Sequence, residues 1–217
     1  MKIVAICGSP RGGKSQTRVL TEAVLSTAQE KGAEILFLDV GRAQISGCTA
    51  CEACHQGPDC ALQDDVADIQ RHMLEADGIV LASPVYLDQV TSQLKALLDR
   101  TSHFVHCLRL MGKYVAVVTT SGGGRGDATA AFLKSYALMA GAQFVGATHA
   151  SLPLTSDHQA DAWRLGEALV EAIQERQQWA DQLEAIEGQR MFFRKTIDFW
   201  KEQWPYEYAY WKKMGWL

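Results

Sequence analysis

The chain has 217 residues, 47% hydrophobic and 21% charged, with a formal net charge of -4 at pH 7. That balance belongs to an ordinary globular chain with room for one domain and a substantial core, and its mild acidity argues against nucleic acid or an anionic lipid surface as partners. No run approaches the roughly 18 apolar residues of a membrane span, and the N-terminal apolar run is too short for a signal-peptide core, so a cytoplasmic location is expected. In that reducing compartment the six cysteines are expected as thiols or metal ligands rather than structural disulfides.

In chain order, Lys2 to Cys7 is a short β-branched run that stops at Gly8, and Gln16 to Lys31 carries apolar residues at helical spacing. The alternation continues with strands at 34–39, 78–82, 114–120 and 143–150 and helices at 65–76, 91–101, 128–140 and 158–178. Five strands alternating with five helices predict an α/β fold with a doubly wound parallel sheet, whose ligands bind beyond the carboxyl ends of the strands where strand order reverses. Two stretches interrupt the pattern. Residues 40–64 form a long connection holding four of the six cysteines, and 188–217 holds four of the six tryptophans with three phenylalanines and three tyrosines.

The first loop, "CGSPRGGKSQT", is built to hold phosphate, because glycines let backbone N–H groups converge on an anion at a helix N-terminus. Residues 8–15 match G-x-x-x-x-G-K-[ST] letter for letter. On that reading Lys14 reaches the β and γ phosphates of a nucleotide, Ser15 ligands Mg²⁺, and the strand ending at Asp39 supplies the second magnesium contact. Three other segments favour a flavin. "SPVY" (83–86) and "TSGGGRGD" (120–127) follow the third and fourth strands and so fall beside the first loop, where a flavin ring needs loops on both sides; the cysteine loop has no use in an NTPase.

Cys48, Cys51, Cys54 and Cys60 are spaced C-x₂-C-x₂-C-x₅-C. Three thiolates at such intervals can surround a cubane, and the His-Gln-Gly-Pro-Asp insert can turn the chain so that Cys60 completes the same [4Fe-4S] site. Zinc, a disulfide and metal-free thiols are the alternatives; structural zinc more often uses two separated C-x₂-C pairs. His55 is a spare ligand. Cys7 and Cys107 read as small buried hydrophobes, and His103 and His106 as a helix end.

"GSPRGGKSQT", "DGIVLASPVYLDQVTSQLKALLDR" and "TSGGGRGD", in this order, resemble the NADPH-dependent FMN reductase and flavodoxin-like superfamily, and with "GCTACEACHQGPDC" its iron-sulfur flavoprotein branch. The resemblance covers about residues 1–150. It implies an FMN phosphate loop at Ser9, Arg11, Ser15, Gln16 and Thr17, with Pro10 and Lys14 in the same loop. Members often carry Asn-Thr where this chain has Ser15-Gln16. It also implies an isoalloxazine ring flanked by Pro84, Val85, Tyr86 and Leu87 on one side and Thr120, Ser121, Gly122, Gly123 and Gly124 on the other.

The resemblance further implies an FMN-dependent oxidoreductase that passes electrons between FMN and a [4Fe-4S] cluster. A ferredoxin-like protein or NAD(P)H is the expected donor or acceptor, and a homodimer or homotetramer the expected assembly. The alternatives are an NAD(P)H-dependent FMN or quinone reductase with metal-free cysteines, acting on a small-molecule acceptor, and a non-catalytic electron carrier. Flavin chemistry requires no acid or base here, so no catalytic residue is expected; Tyr86 and Arg125 could orient substrate or pack at the surface.

The expected organisation is an FMN-binding domain over 1–187, with the cluster loop at 40–64, and an aromatic extension over 188–217. In the extension, Phe193, Ile197, Trp200 and Trp204 lie on one helical face and "PYEYAYW" reads as an extended arm. So much aromatic surface requires burial, either on its own domain or across a neighbouring subunit near the flavin.

Overall fold

Strand β1 (Lys2–Cys7) is apolar from Ile3 onward because both its faces are covered there. Val4 and Ile6 enter one core, and Ile3, Ala5 and Cys7 the opposite one. The computed structural model describes residues 1–217. Its five strands are all parallel, in the order β2 (Glu34–Leu38), β1, β3 (Gly78–Pro84), β4 (Tyr114–Ser121) and β5 (Gln143–Ser151). This is the doubly wound parallel sheet predicted from the alternating pattern, in the flavodoxin-like form that the resemblance implied.

Helices α1 (Gln16–Glu30) and α7 (Ser156–Glu175) close one face through Leu20, Val24, Leu165 and Leu169. On the other face, α3 (Val66–Glu75), α4 (Ser92–Asp99) and α6 (Asp127–Met139) contribute Ile69, Met73, Leu94, Leu97 and Leu133. No helix is long and apolar enough to cross a membrane. The chain leaves β1 to one side for β2 and returns on the other as β3, so strand order reverses between β1 and β3. Register then brings the carboxyl ends together: Cys7 pairs with Ala82 and Pro84 with Thr120. The loops after β1, β3 and β4 therefore meet at the switch point.

The long connection contains one helical turn, α2 (Ala53–Gln56), where only irregular chain was expected. It is entered through Ala50 and Glu52 at positive φ, a local reversal that leaves no hydrophobic period to read. Beyond α5 (Ser102–His106) and α7, helix α8 (Ala180–Phe199) runs through Gly188 without a break.

"PYEYAYW" is not an extended arm but the start of helix α9 (Pro205–Lys213). The alternating tyrosines imitate a strand period, yet Trp204, Tyr208 and Trp211 are spaced i, i+4, i+7, and Pro205 at the first helical position presets φ. Of the face expected to recur along the tail, Phe193 and Ile197 are buried, whereas Trp200 is exposed. Phe193, Ile197 and Trp211 pack with Cys107 and Leu108 of the same chain, so this part of the aromatic segment is buried on its own chain, while Phe192, Phe199 and Trp200 stay exposed.

Candidate functional site

At the switch point a cavity of about 140 Å³ is lined by Ser9, Arg11, Ser15, Gln16, Thr17, Pro84, Val85, Tyr86, Thr120, Ser121, Gly122 and Leu152. Eleven of those twelve belong to the loops singled out in the sequence. Of the remaining expected residues, Pro10, Lys14, Leu87, Gly123 and Gly124 do not line it. Lys14 ends a short 3₁₀ turn with an exposed side chain. Leu87 is fully exposed because Leu87 and Asp88, both at positive φ, form a two-residue turn closed by reciprocal backbone bonds between Tyr86 and Gln89 (2.9 and 3.1 Å). Leu152 was not anticipated. It follows β5 and its amide donates to Ser121 O (2.9 Å), so the one available signal was its place beyond a strand's carboxyl end.

Ser15 caps α1: its hydroxyl accepts from Arg18 N (3.1 Å) and its carbonyl from Val19 N (3.2 Å). The preceding first-turn amides, of Gln16 and Thr17, have no intrahelical carbonyl to reach. Both residues line the cavity, as does the cation Arg11, and no carboxylate does. This donor set fits an anionic phosphate, and Pro84, Val85, Tyr86 and Leu152 supply apolar surface for a flat ring. The Thr17 and Thr120 hydroxyls are hydrogen-bonded at 2.6 Å, tying α1 to the end of β4. Behind them the His149 ring pairs with Thr119 Oγ1 (2.9 Å) and Ser121 Oγ (3.2 Å), and burial lowers its pKa. Ser15→Ala is expected to lower stability by about 1 kcal/mol through loss of the cap, read as a shift in urea midpoint at unchanged slope.

A second cavity, of about 240 Å³, collects all four cysteines of the long connection together with His55, Leu62, Arg100 and Ser102. The four thiols are free; Cys48 and Cys51 are exposed, and Cys54 and Cys60 are half-buried. Donors already face the sulfurs. The Ala50 amide donates to Cys48 Sγ (3.4 Å), while the Ala53 amide and the Thr49 hydroxyl lower the pKa of Cys51. Burial raises that of Cys54, opposed by Ser102. Cys7 and Cys107 are buried elsewhere, as expected, with the Cys7 thiol pushed up to about 11 by burial.

The cysteine loop is held from behind by residues that no local spacing revealed. Glu207 on α9 is fully buried, with Oε1 accepting from His55 Nδ1–H (2.8 Å) and Oε2 from His106 Nδ1–H (3.2 Å). An ionised carboxylate only accepts, so both Nδ1 atoms carry the proton. The two imidazoles stack at 5.1 Å and 9°, and Trp204 stacks on both. Donor atoms of the three residues lie within 4.8 Å of one another. Nearly parallel rings, each on its own oxygen, make a hydrogen-bonded clamp rather than converging metal ligands.

A model of the NADPH-dependent FMN reductase family matches residues 1–157. An iron-sulfur flavoprotein of Archaeoglobus fulgidus is 28% identical over 222 residues, covering 100% of both chains. One of Methanocaldococcus jannaschii is 38% identical over 128 residues, 58% of this chain and 66% of that one. Among solved structures, a WrbA-like flavodoxin of Agrobacterium tumefaciens superposes with a TM-score of 0.61 at 19% identity, covering 81% of this chain and 99% of that one.

Proposed function

The chain belongs to the NADPH-dependent FMN reductase family and is a flavin-dependent oxidoreductase, and from that premise we propose that it works as an iron-sulfur flavoprotein, with FMN in the switch-point cavity and a [4Fe-4S] cluster on Cys48, Cys51, Cys54 and Cys60. The observation that carries this reading is the convergence of those four free thiols on one cavity. A flavin takes up a hydride or two electrons and can release them singly, and a cluster carries one at a time. Together they suit exchange between NAD(P)H and a one-electron partner such as a ferredoxin.

The chain's own residues bind and orient. Ser9, Arg11, Ser15, Gln16 and Thr17 would hold the phosphate, with the helix dipole of α1 adding to the donors. Tyr86 and Pro84 would flank the ring from one side and Ser121 and Gly122 from the other, their loops set by the Val85 N to Thr120 O bond (2.8 Å). Cys48 and Cys51, exposed in the second cavity, would give a redox partner access at the rim. The match to the FMN reductase family and the absence of any carboxylate in the first cavity support FMN over a magnesium nucleotide, whose metal needs acidic ligands.

Protein purified without oxygen is expected to show flavin absorption with a broad additional visible shoulder, and about four irons and four acid-labile sulfides per chain. Flavin bands with neither iron nor sulfide would replace this reading with a metal-free FMN or quinone reductase.

A further inference from the structure

Arg100, the residue that ends α4, has a fully buried side chain whose guanidinium is used on one side only. Nη1 pairs with the Asp64 carboxylate and donates to Ser46 O (3.3 Å), and Nη2 donates to Leu62 O (3.3 Å). These partners bracket the cysteine loop at both ends: Ser46 precedes Cys48, and Leu62 and Asp64 follow Cys60. The Ser46 amide returns to Asp64 Oδ2 (2.9 Å), which closes the ring of contacts. Nε, also buried, has no partner. A buried donor left unpaired is costly, and a charged one more so.

Arg100 lines the cavity shared by the four cysteines and is the sole lysine or arginine that does so. Asp64 does not line it, so the ion pair turns its positive end toward the sulfurs. The acids that do line it, Glu52 and Asp99, are exposed to solvent, where water screens them far better than it screens a buried cation. Burial works against the guanidinium charge, but Asp64 and then Cys60 outweigh it, keeping the group firmly protonated.

We propose that Arg100 is the positioning residue and fixed counter-charge of the cysteine site, closing the loop from Ser46 to Asp64 over the thiols and setting the reduction potential of the cluster they hold. The inference rests on the cluster reading above. Four thiolates gather negative charge on this cavity, and reduction adds one more. A buried cation beside them favours the reduced state, since net charge and hydrogen bonding are what tune such potentials. A purely structural ion pair would close the loop equally well but leave the potential unmoved.

The test compares wild type, Asp64→Asn, and the double variant Arg100→Gln/Asp64→Asn, each reconstituted anaerobically with iron and sulfide and titrated by EPR, with the FMN potential as internal reference. The double variant leaves no unpaired charge, which protects folding. Its reduction equilibrium is expected to move about tenfold toward the oxidised cluster, about 59 mV downward for a one-electron couple. Asp64→Asn leaves Arg100 uncompensated and is expected to move it the opposite way. A double variant that folds and binds FMN but no longer holds iron supports the anchoring role. Both variants loaded with iron and within about twofold of wild type would overturn the assignment while leaving the cluster reading intact. Wild type that binds FMN but no iron or sulfide would overturn the cluster reading, and this inference with it.

Discussion

Glu207→Ala is expected to lower the stability of the apoprotein by about 3 kcal/mol and to loosen the cysteine loop. The carboxylate is fully buried and is the acceptor for both His55 and His106. Removing it strands two N–H donors in a region sealed by Trp204, which stacks on His55 at 4.3 Å. Trp211, fully buried one helical turn on, donates to His106 O (3.1 Å), so the packing cannot simply collapse into the space. Glu207→Gln keeps the volume and one good acceptor and is expected to cost about half as much. Urea unfolding followed by tryptophan fluorescence gives the first result, and limited proteolysis between Ser46 and Asp64 the second. A loss below about 1 kcal/mol for Glu207→Ala would show that the clamp contributes little.

The pH dependence of this pair of variants follows from the carboxyl itself. Burial raises the Glu207 pKa, but the hydrogen bonds from His106 and His55 outweigh it and leave it below the ordinary glutamate range. A depressed folded-state pKa contributes stability that is fully present above the unfolded value and is lost as pH falls through the folded one. The stability gap between wild type and Glu207→Gln should therefore be widest from that range upward and close under more acid conditions.

Gly41→Ala is expected to weaken FMN binding by at least about tenfold and to cost about 2 to 3 kcal/mol of stability. A Cβ at Gly41 would lie 2.0 Å from Ser9 O, 2.3 Å from Ser9 C and 2.9 Å from Pro10 N. All three are backbone atoms of the phosphate loop, so no side chain can swing away to make room. Gly41 is also fixed in place, its amide donating to Cys7 O (2.9 Å). The loop must shift, and Ser9 leaves its position in the cavity. Gly13→Ala is the control: it lies in the same loop but a Cβ there meets nothing within 4 Å. Fluorescence titration of the two apoproteins with FMN separates the cases. Equal affinity for both would mean that the loop adapts without disturbing the phosphate site.

How much of this was readable in advance depends on how local each signal is. The strands and helices were legible because a doubly covered parallel strand must be apolar throughout and its crossover helix must show one apolar stripe, and both patterns lie within a few consecutive residues. The same is true of the glycine-rich first loop and of the C-x₂-C-x₂-C-x₅-C run. Residues 206–210 show the limit of such reading, since alternating tyrosines satisfied a strand period while helical burial of Trp211 prevailed.

The alternating pattern thus carried the fold, and the first loop, the segments after β3 and β4 and the cysteine spacing carried the residues that meet in the two cavities. Leu152, Gly41, Arg100 and Glu207 carried none, because what each does depends on a partner far away in sequence. Gly41 meets Ser9 across β1 and β2, Arg100 meets Asp64 across 36 residues, and Glu207 meets His55 across 152. A buried charge is tolerated only beside its partner, and a missing Cβ matters only against the backbone it touches. Those juxtapositions exist once the sheet has closed and the C-terminal helices have packed, and no spacing along the chain encodes them.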